Sequence, residues 1–358
     1  MLSSSALSAA PQHFAVVGGG LGGLAVAFHL AQRPGCTVDV LDSRAPGLGG
    51  ASPLASLMHP HSPRGKLIWR GREGLAASLE LMSFAERFCG ENESVFYCKG
   101  RAIRRPCLTT EHRSMFENAA RSLPDMLTLS QDAYSDFGSA ELRCSYVVNT
   151  PTYLKALSRG LRREFGVNVL EKSVEKADMD SLRQSFDHVI ICAGAGLLHL
   201  VDGLGSRMTL VRGQNIMFDG QANRQLEEAR ICGEYVVPVG GGVLLCGATH
   251  EYSEKELHSS PDLEVALGAL LPSLEMIYPP LKSCVPLRAV AGVRVAAPRT
   301  HLGKIPLIGR HPEFENVSFL TGFGSHGLIH HALLAKMLVA AVLDGNGFES
   351  LPPEVRYL

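Results

Sequence analysis

HFAVVG, His13 to Gly18, is a short apolar run of β type, broken by a cluster of glycines from Gly18 to Gly23. LAVAFHLAQR follows, with the small and apolar residues of a buried helix, and CTVDVLD, Cys36 to Asp42, is a second strand with β-branched positions. Strand, turn, helix and strand within about thirty residues form the smallest unit of a parallel sheet.

The same patterning recurs downstream. GREGLAASLELMSFAERF places Leu75, Leu79, Met82 and Phe88 at helical spacing. In NTPTYLKALSRGLRREFG, Thr150 is expected to cap a helix, Pro151 suits its first position and Gly166 ends it. VNVLEKSVEKA and DHVIICAGAG are expected to return as strands of parallel-sheet character. MTLVRGQNIMF and EYVVPVGGGVLLCGATH predict antiparallel strands over 207–250, and a helix is expected near 262–271. The stretch from Val317 onward predicts a strand, a glycine turn and a long helix ending at Gly345. The β-α-β material thus brackets β-rich material, which predicts an α/β protein of two interleaved domains. A Rossmann-like domain would take 1–80, 149–206 and 290–358, and an antiparallel-β substrate domain 81–148 and 207–289.

Composition narrows the class. The chain has 358 residues, 46% hydrophobic and 19% charged, and a net charge of −1, so no global field recruits nucleic acid or membrane. The basic run KGRAIRR, Lys99 to Arg105, is a local exception that reads first as a solvated face. Nine scattered cysteines without a C-x-x-C pair argue for a reducing compartment and against a zinc site, so no metal is expected. The opening MLSSSALSAAPQH has the Ser/Ala richness of a plastid or mitochondrial transit segment, yet lacks Arg, and suits a disordered tail equally. A soluble protein of the cytoplasm or an organelle is expected. Five glycines disqualify Phe14–Ala31 as a membrane span, and LLAKMLVAAVL is too short and carries Lys336.

Gly18, Gly20 and Gly23 satisfy G-x-G-x-x-G, with Asp42 nineteen residues past Gly23. In this context Gly18 allows a tight turn, Gly20 admits a pyrophosphate and Gly23 lets helix pack on strand, while Asp42 reaches ribose hydroxyls. The helix N-terminus faces the phosphate charge. NAD and FAD both use such a unit. Two further segments favour FAD: the small residues Ala193 to Gly196 at the end of a strand, and Gly324, Ser325, His326, Gly327 and Leu328 before a long helix. Amides at that helix start would meet the N1–C2=O edge of a flavin, where negative charge grows on reduction.

These segments, with GGASPLASLMHPHSPRG, LVRGQNIMF, EYVVPVGGGVLLCGATHEY, GVRVAAPRTHLGKIPLIGR and LTGFGSHGLIHHALLAK, resemble the D-amino-acid oxidase (DAO) family of FAD-dependent oxidoreductases over nearly the whole chain. Within the family the likeness is to glycine oxidases and to the flavin domain of the bifunctional enzyme that matures the tRNA wobble uridine. The resemblance implies noncovalent FAD, with Ser43, Arg44, Ala51, Ser52, Met58, His59, Val174, Ala193 and Gly194 beside the cofactor. It implies that Arg294 holds a substrate carboxylate and that Tyr235 faces the substrate. A guanidinium fork suits that task because two parallel hydrogen bonds aim the Cα–H at the flavin. His61, Arg64 and Lys66 are weaker candidates.

The resemblance implies hydride transfer from the carbon next to an amine to FAD, with molecular oxygen as electron acceptor. Three functions stay open: oxidation of a carboxymethylaminomethyl group on tRNA wobble uridine, oxidation of free glycine, sarcosine or a D-amino acid, and flavin binding without turnover.

Overall fold

The computed structural model describes residues 11–50, 56–220, 226–257, 259–344 and 347–357. From the N-terminus run β1 (Gln12–Val17), α1 (Leu21–Ala31), β2 (Cys36–Asp42), β3 (Leu57–Met58), α2 (Gly71–Glu86), β4 (Phe96–Cys98), β5 (Ile103–Pro106) and α3 (Thr110–Ser122). Next come β6 (Leu127–Asp132), β7 (Ser135–Leu142), β8 (Tyr146–Val148), α4 (Thr150–Phe165), β9 (Asn168–Glu171), α5 (Met179–Ser185), β10 (His188–Ile191) and α6 (Leu197–Leu200). Then follow β11 (Thr209–Asp219), β12 (Ala229–Cys232), β13 (Glu234–Pro238), β14 (Val243–Gly247), α7 (Glu254–Leu257) and α8 (Leu263–Ile277). The last elements are β15 (Val285–Ala296), β16 (Arg299–Thr300), β17 (Gly303–Lys304), β18 (Leu307–Arg310), β19 (Val317–Thr321) and α9 (Gly327–Leu343).

Two large sheets organise the chain. The first runs β18-β19-β10-β1-β2-β9, parallel except where β18 meets β19. Its central strands β1, β10 and β19 are buried on both faces, as the continuous apolar runs of β1 and β10 require. Phe14 and Val16 pack with α1, α2, α4 and α9 on one side, while Ala15 and Val17 pack with α5 and α6 on the other. The second sheet runs β15-β11-β14-β13-β12-β5-β7-β6 and is antiparallel except for β12 on β5. One of its faces packs against α8. The other holds Ile103, Ala140, Val237 and Leu245 and is covered in part by α3 and by Leu57. Met58, the residue after Leu57, belongs to the core of the first sheet, so β3 lies between the two. No helix among the described residues is long and apolar enough to cross a membrane.

The mixed α/β architecture agrees with the sequence reading, but several boundaries move. The N-cap of α4 is Asn149, whose side chain accepts from the Thr152 N–H, and not Thr150, which is the first helical residue. Pro151 sits in that first turn and Gly166, at φ +68°, ends the helix as expected. Phe88 falls beyond the end of α2. The strand in VNVLEKSVEKA stops at Glu171, because the Glu175/Asp178 capping box turns the chain into α5. The helix near 262–271 runs on to Ile277 through Pro272. The last helix stops at Leu343, and Gly345 lies outside the described residues.

Replacing the true cap should show. Asn149→Ala is expected to cost about 1 kcal/mol, lowering the thermal midpoint by roughly 2 °C while α4 still forms, measured by calorimetry of the purified protein.

Candidate active site

The C-terminal ends of β1, β2 and β10 meet in one place. The Gly18 N–H donates to Leu41 O at 2.7 Å and the Cys192 N–H to Val17 O at 2.7 Å. Gly18 adopts φ +107°, and a Cβ there would stand 2.5 Å from the Cys192 carbonyl oxygen. A Cβ on Gly23 would sit 1.7 Å from Gly18 O, so α1 starts hard against the turn. At Gly20, by contrast, a Cβ would meet nothing within 4 Å: this side of the turn is open to a ligand. Asp42 braces the turn, its Oδ2 accepting from the Gly19 N–H at 2.6 Å and its Oδ1 from the Arg44 N–H at 2.9 Å. Each oxygen retains a lone pair for ribose hydroxyls.

The start of α1 carries no side-chain cap and no acidic residue in its first turn, and the same holds for α9. The two starts adjoin, since a Cβ on Gly327 would lie 3.2 Å from Leu21 Cδ1. Two positive helix ends side by side suit an anionic ligand spanning both. Before α9, the Gly324 N–H donates to Val295 O at 2.8 Å, which ties this loop to β15 one residue past Arg294. Thr321, the last residue of β19, keeps a buried hydroxyl without a partner, and Ser325 is exposed beside it.

Several of the other expected cofactor residues follow the C-terminal ends of β2, β9 and β10. Ala193 and Gly194 form the turn after β10. Val174, beyond β9, packs on the cluster holding Val17, Leu41 and Ala193. Ser43 and Arg44 are exposed after β2, and Arg44 folds back over Gly49. Met58 is fully buried. Ala51 and Ser52 lie outside the described residues.

Histidines line the approach. Burial, followed by the charges of Arg105, His61 and His326, holds His59 well below its ordinary pKa. His326 is likewise lowered by burial and stands 5.9 Å, ring to ring, from His330. His331 Nε2 lies 2.8 Å from Tyr153 Oη, which joins α9 to α4.

Arg294 and Tyr235 share one face of the second sheet. Arg294 pairs with Val211; the next row on that face is Gly213 opposite Gly292; the next is Asn215, with Gly247 and Tyr235 beside it. The Arg294 side chain leans over the glycine row, Nη2 standing 3.4 Å from where a Gly213 Cβ would be. Its Nε and Nη2 are buried and have no partner. Burial pushes the Tyr235 hydroxyl up to about 12, so it stays protonated and donates to Asn215 Oδ1 at 2.9 Å. On the reverse face, Glu251 accepts from Gln214 at 2.8 Å, from Thr249 at 2.6 Å and from Arg212, which locks β11 to the segment after β14.

Asn215 is a candidate site residue that the motifs do not single out, its Nδ2 being buried and unpartnered beside Tyr235. The signal lay in VRGQN, a strand with polar residues on both faces. Among the described residues no cluster of His, Cys, Asp or Glu could hold a metal ion.

The histidines set an acid limit. Burial lowers His29, His188, His330 and His331 each from 6.5 to about 4. Unfolded imidazoles bind protons as the pH falls through 6.5 while these four stay neutral, so stability present above 6.5 drains away towards pH 4. Urea midpoints should fall across that window, and His331→Gln should flatten the slope.

A family model described as FAD dependent oxidoreductase (DAO) matches residues 13–341. The chain is 26% identical over 350 residues to the tRNA 5-methylaminomethyl-2-thiouridine biosynthesis bifunctional protein MnmC of Maricaulis maris, covering 95% of this chain and 54% of that protein. It thus spans about half the length of that relative. It is 25% identical over 360 residues to a glycine oxidase of Bacillus licheniformis, covering 92% of each. The crystal structure of glycine oxidase from Geobacillus kaustophilus superposes with a TM-score of 0.73 at 19% identity, over 93% of this chain and 95% of that one. With a family match from the first strand to the last helix and a dinucleotide-shaped turn to match it, the chain belongs to the DAO family of FAD-dependent oxidoreductases.

Proposed function

We propose that this protein oxidises the C–N bond of a glycine-like amine, primary or secondary, whose carboxylate rests on Arg294. The observation that carries the reading is the Arg294 guanidinium itself. Two of its nitrogens are buried without partners, and the row beneath it, Gly213 and Gly292, carries no side chains. A carboxylate laid on that floor would satisfy both nitrogens with a bidentate pair of hydrogen bonds.

FAD, when bound, supplies a two-electron acceptor. Gly18, Gly20, Gly23 and the α1 amides are suited to its pyrophosphate, Asp42 to its ribose, and the Gly324–Leu328 loop to the flavin edge. Arg294 fixes the acid end of the substrate, and Tyr235, fastened to Asn215, limits how the amine end turns. The carbon between them gives up a hydride as the nitrogen lone pair forms the C=N bond. With FAD bound, water would then split the imine into an amine and an α-oxo acid, and molecular oxygen would serve as the final electron acceptor, yielding peroxide.

A second reading places the same group on a tRNA wobble uridine, and the alignment with MnmC over 95% of this chain supports it. The basic run speaks for a small free amine instead. Lys99 pairs with Glu86 at 3.6 Å, Arg101 with Glu141 at 3.2 Å and Arg104 with Glu228, while Arg105 is buried. Neutralised in this way, the run offers little to a polyanion.

Anaerobic mixing with glycine, sarcosine or D-amino acids, and separately with tRNA bearing carboxymethylaminomethyl uridine, distinguishes the two by which set bleaches the flavin. Arg294→Ala should keep the bound yellow flavin yet lose at least a hundredfold in kcat/KM; undiminished turnover would refute the role. Gly23→Ala should purify without flavin absorbance, since its Cβ cannot coexist with Gly18 O.

A further inference from the structure

Arg294 and Asn215 stand on the same face of the second sheet, two rows apart, with a row of glycines between. Arg294 pairs with Val211 and Gly292 with Gly213, while Asn215 pairs with Val290 on one side and Gly247 on the other. Alternate residues of a strand share a face, so Val211, Gly213 and Asn215 do. The guanidinium does not stay over its own row, since Nη2 stands 3.4 Å from where a Gly213 Cβ would be. Gly213 and Asn215 are about 7 Å apart along β11. Two hydrogen bonds and the breadth of one carboxylate span such a gap. Beyond Asn215 the face turns apolar, with Met217 opposite Leu245 in the next row.

Three buried donors on this short stretch have no partner: Nε and Nη2 of Arg294, and Nδ2 of Asn215, whose side chain is wholly enclosed. Buried polar groups are paired almost everywhere in native proteins, so donors idle together call for a ligand that accepts from them. Tyr235 fixes which way the amide lies. Burial pushes its hydroxyl up to about 12, against the opposing effects of its bond to Asn215 and of the nearby Arg294 charge. The hydroxyl therefore keeps its proton and donates to Asn215 Oδ1 at 2.9 Å. Oδ1 lies so close over β14 that a Cβ on Gly247 would stand 1.9 Å from it. With its oxygen engaged in this way, the amide has only donors left to offer.

We propose that Asn215 is a substrate-binding residue: its Nδ2 gives the substrate carboxylate a third hydrogen bond beside the pair from Arg294, and Tyr235 holds the amide in the orientation that allows it. This rests on the reading of Arg294 given above and deepens it. An ionised carboxylate has about four acceptor sites, of which a guanidinium fork fills two. The Tyr235 hydroxyl is engaged by Asn215, so the amide and not the phenol is the donor at this end of the site. Donors on both sides select an acid over its carboxamide. The carboxamide presents an N–H where the acid presents an oxygen, and so meets a donor with a donor.

Acetate carries the carboxylate without the amine, so it isolates this contact from turnover. Its dissociation constant for the holoenzyme is measured by calorimetric titration. Asn215→Leu, of similar volume but without the donor, should raise that constant roughly tenfold, and Asn215→Asp, which adds a like charge, roughly a hundredfold. Both variants are checked for retained flavin absorbance. Tyr235→Phe should raise it less than Asn215→Leu, because the amide donor remains. In anaerobic flavin reduction, Asn215→Asp should slow glycine far more than glycinamide, whereas a merely structural Asn215 would slow both alike. Acetate bound equally by wild type and Asn215→Leu, or a larger loss in Tyr235→Phe than in Asn215→Leu, would overturn the proposal. If Arg294→Ala binds acetate as tightly as wild type, or wild type binds none, the reading of Arg294 fails and this inference with it. If Arg294→Ala loses acetate but Asn215→Leu does not, only Asn215 is misassigned.

Discussion

One backbone hydrogen bond joins the two halves of the chemistry. The Gly324 N–H reaches Val295 O at 2.8 Å, and Ala296 bridges to Phe323 just beyond it. Val295 follows Arg294 on a strand that is continuous over twelve residues, and Gly324 opens the loop that leads into α9. The backbone of Arg294 is therefore referenced directly to the loop before α9, through rigid backbone and not through flexible side chains; on the proposed reading this would fix a bound carboxylate relative to the flavin edge. Catalysis by orientation depends on such short, stiff paths, because an error of about 1 Å between donor carbon and acceptor is costly. The Glu251 network on the reverse face serves the same end, since it prevents β11 from sliding beneath Arg294.

The dinucleotide turn was legible because its constraints are local. A glycine whose Cβ would strike a carbonyl, a strand before it and a helix after it all fall within thirty residues. The interior of the first sheet was legible for a similar reason, its central strands carrying runs of consecutive apolar residues such as 14–17 and 189–191. Helix caps were less so: Asn149 and Thr150 are both good capping residues, and only the backbone turn decides which of them accepts from Thr152. Substrate-side residues were the hardest to read. Asn215 comes beside Tyr235 and near Arg294 only through strands distant in sequence, so no window along the chain brings them together.

The treatment of charge in the second sheet illustrates what burial demands. Arg230 is held by Asp132 at 2.8 Å and also donates to Ile277 O at 2.7 Å. Arg212 spends its remaining donors on Ser259 and Ser260 carbonyls. Such complete satisfaction marks a structural cation, because a buried pair left half-made is worse than none. By the same standard Arg294, whose buried Nε and Nη2 are left idle, is not a satisfied structural cation.

The meeting of the α1 and α9 starts has a bearing on the lifetime of the protein. Two uncapped helix starts lying side by side bring two positive dipole ends together, and a bound dinucleotide anion would offset them. Ligand that binds only the native state adds about 4 kcal/mol when present at a thousand times its dissociation constant. Cofactor supply therefore bears on how much of the chain stays folded, and not only on how much of it is active.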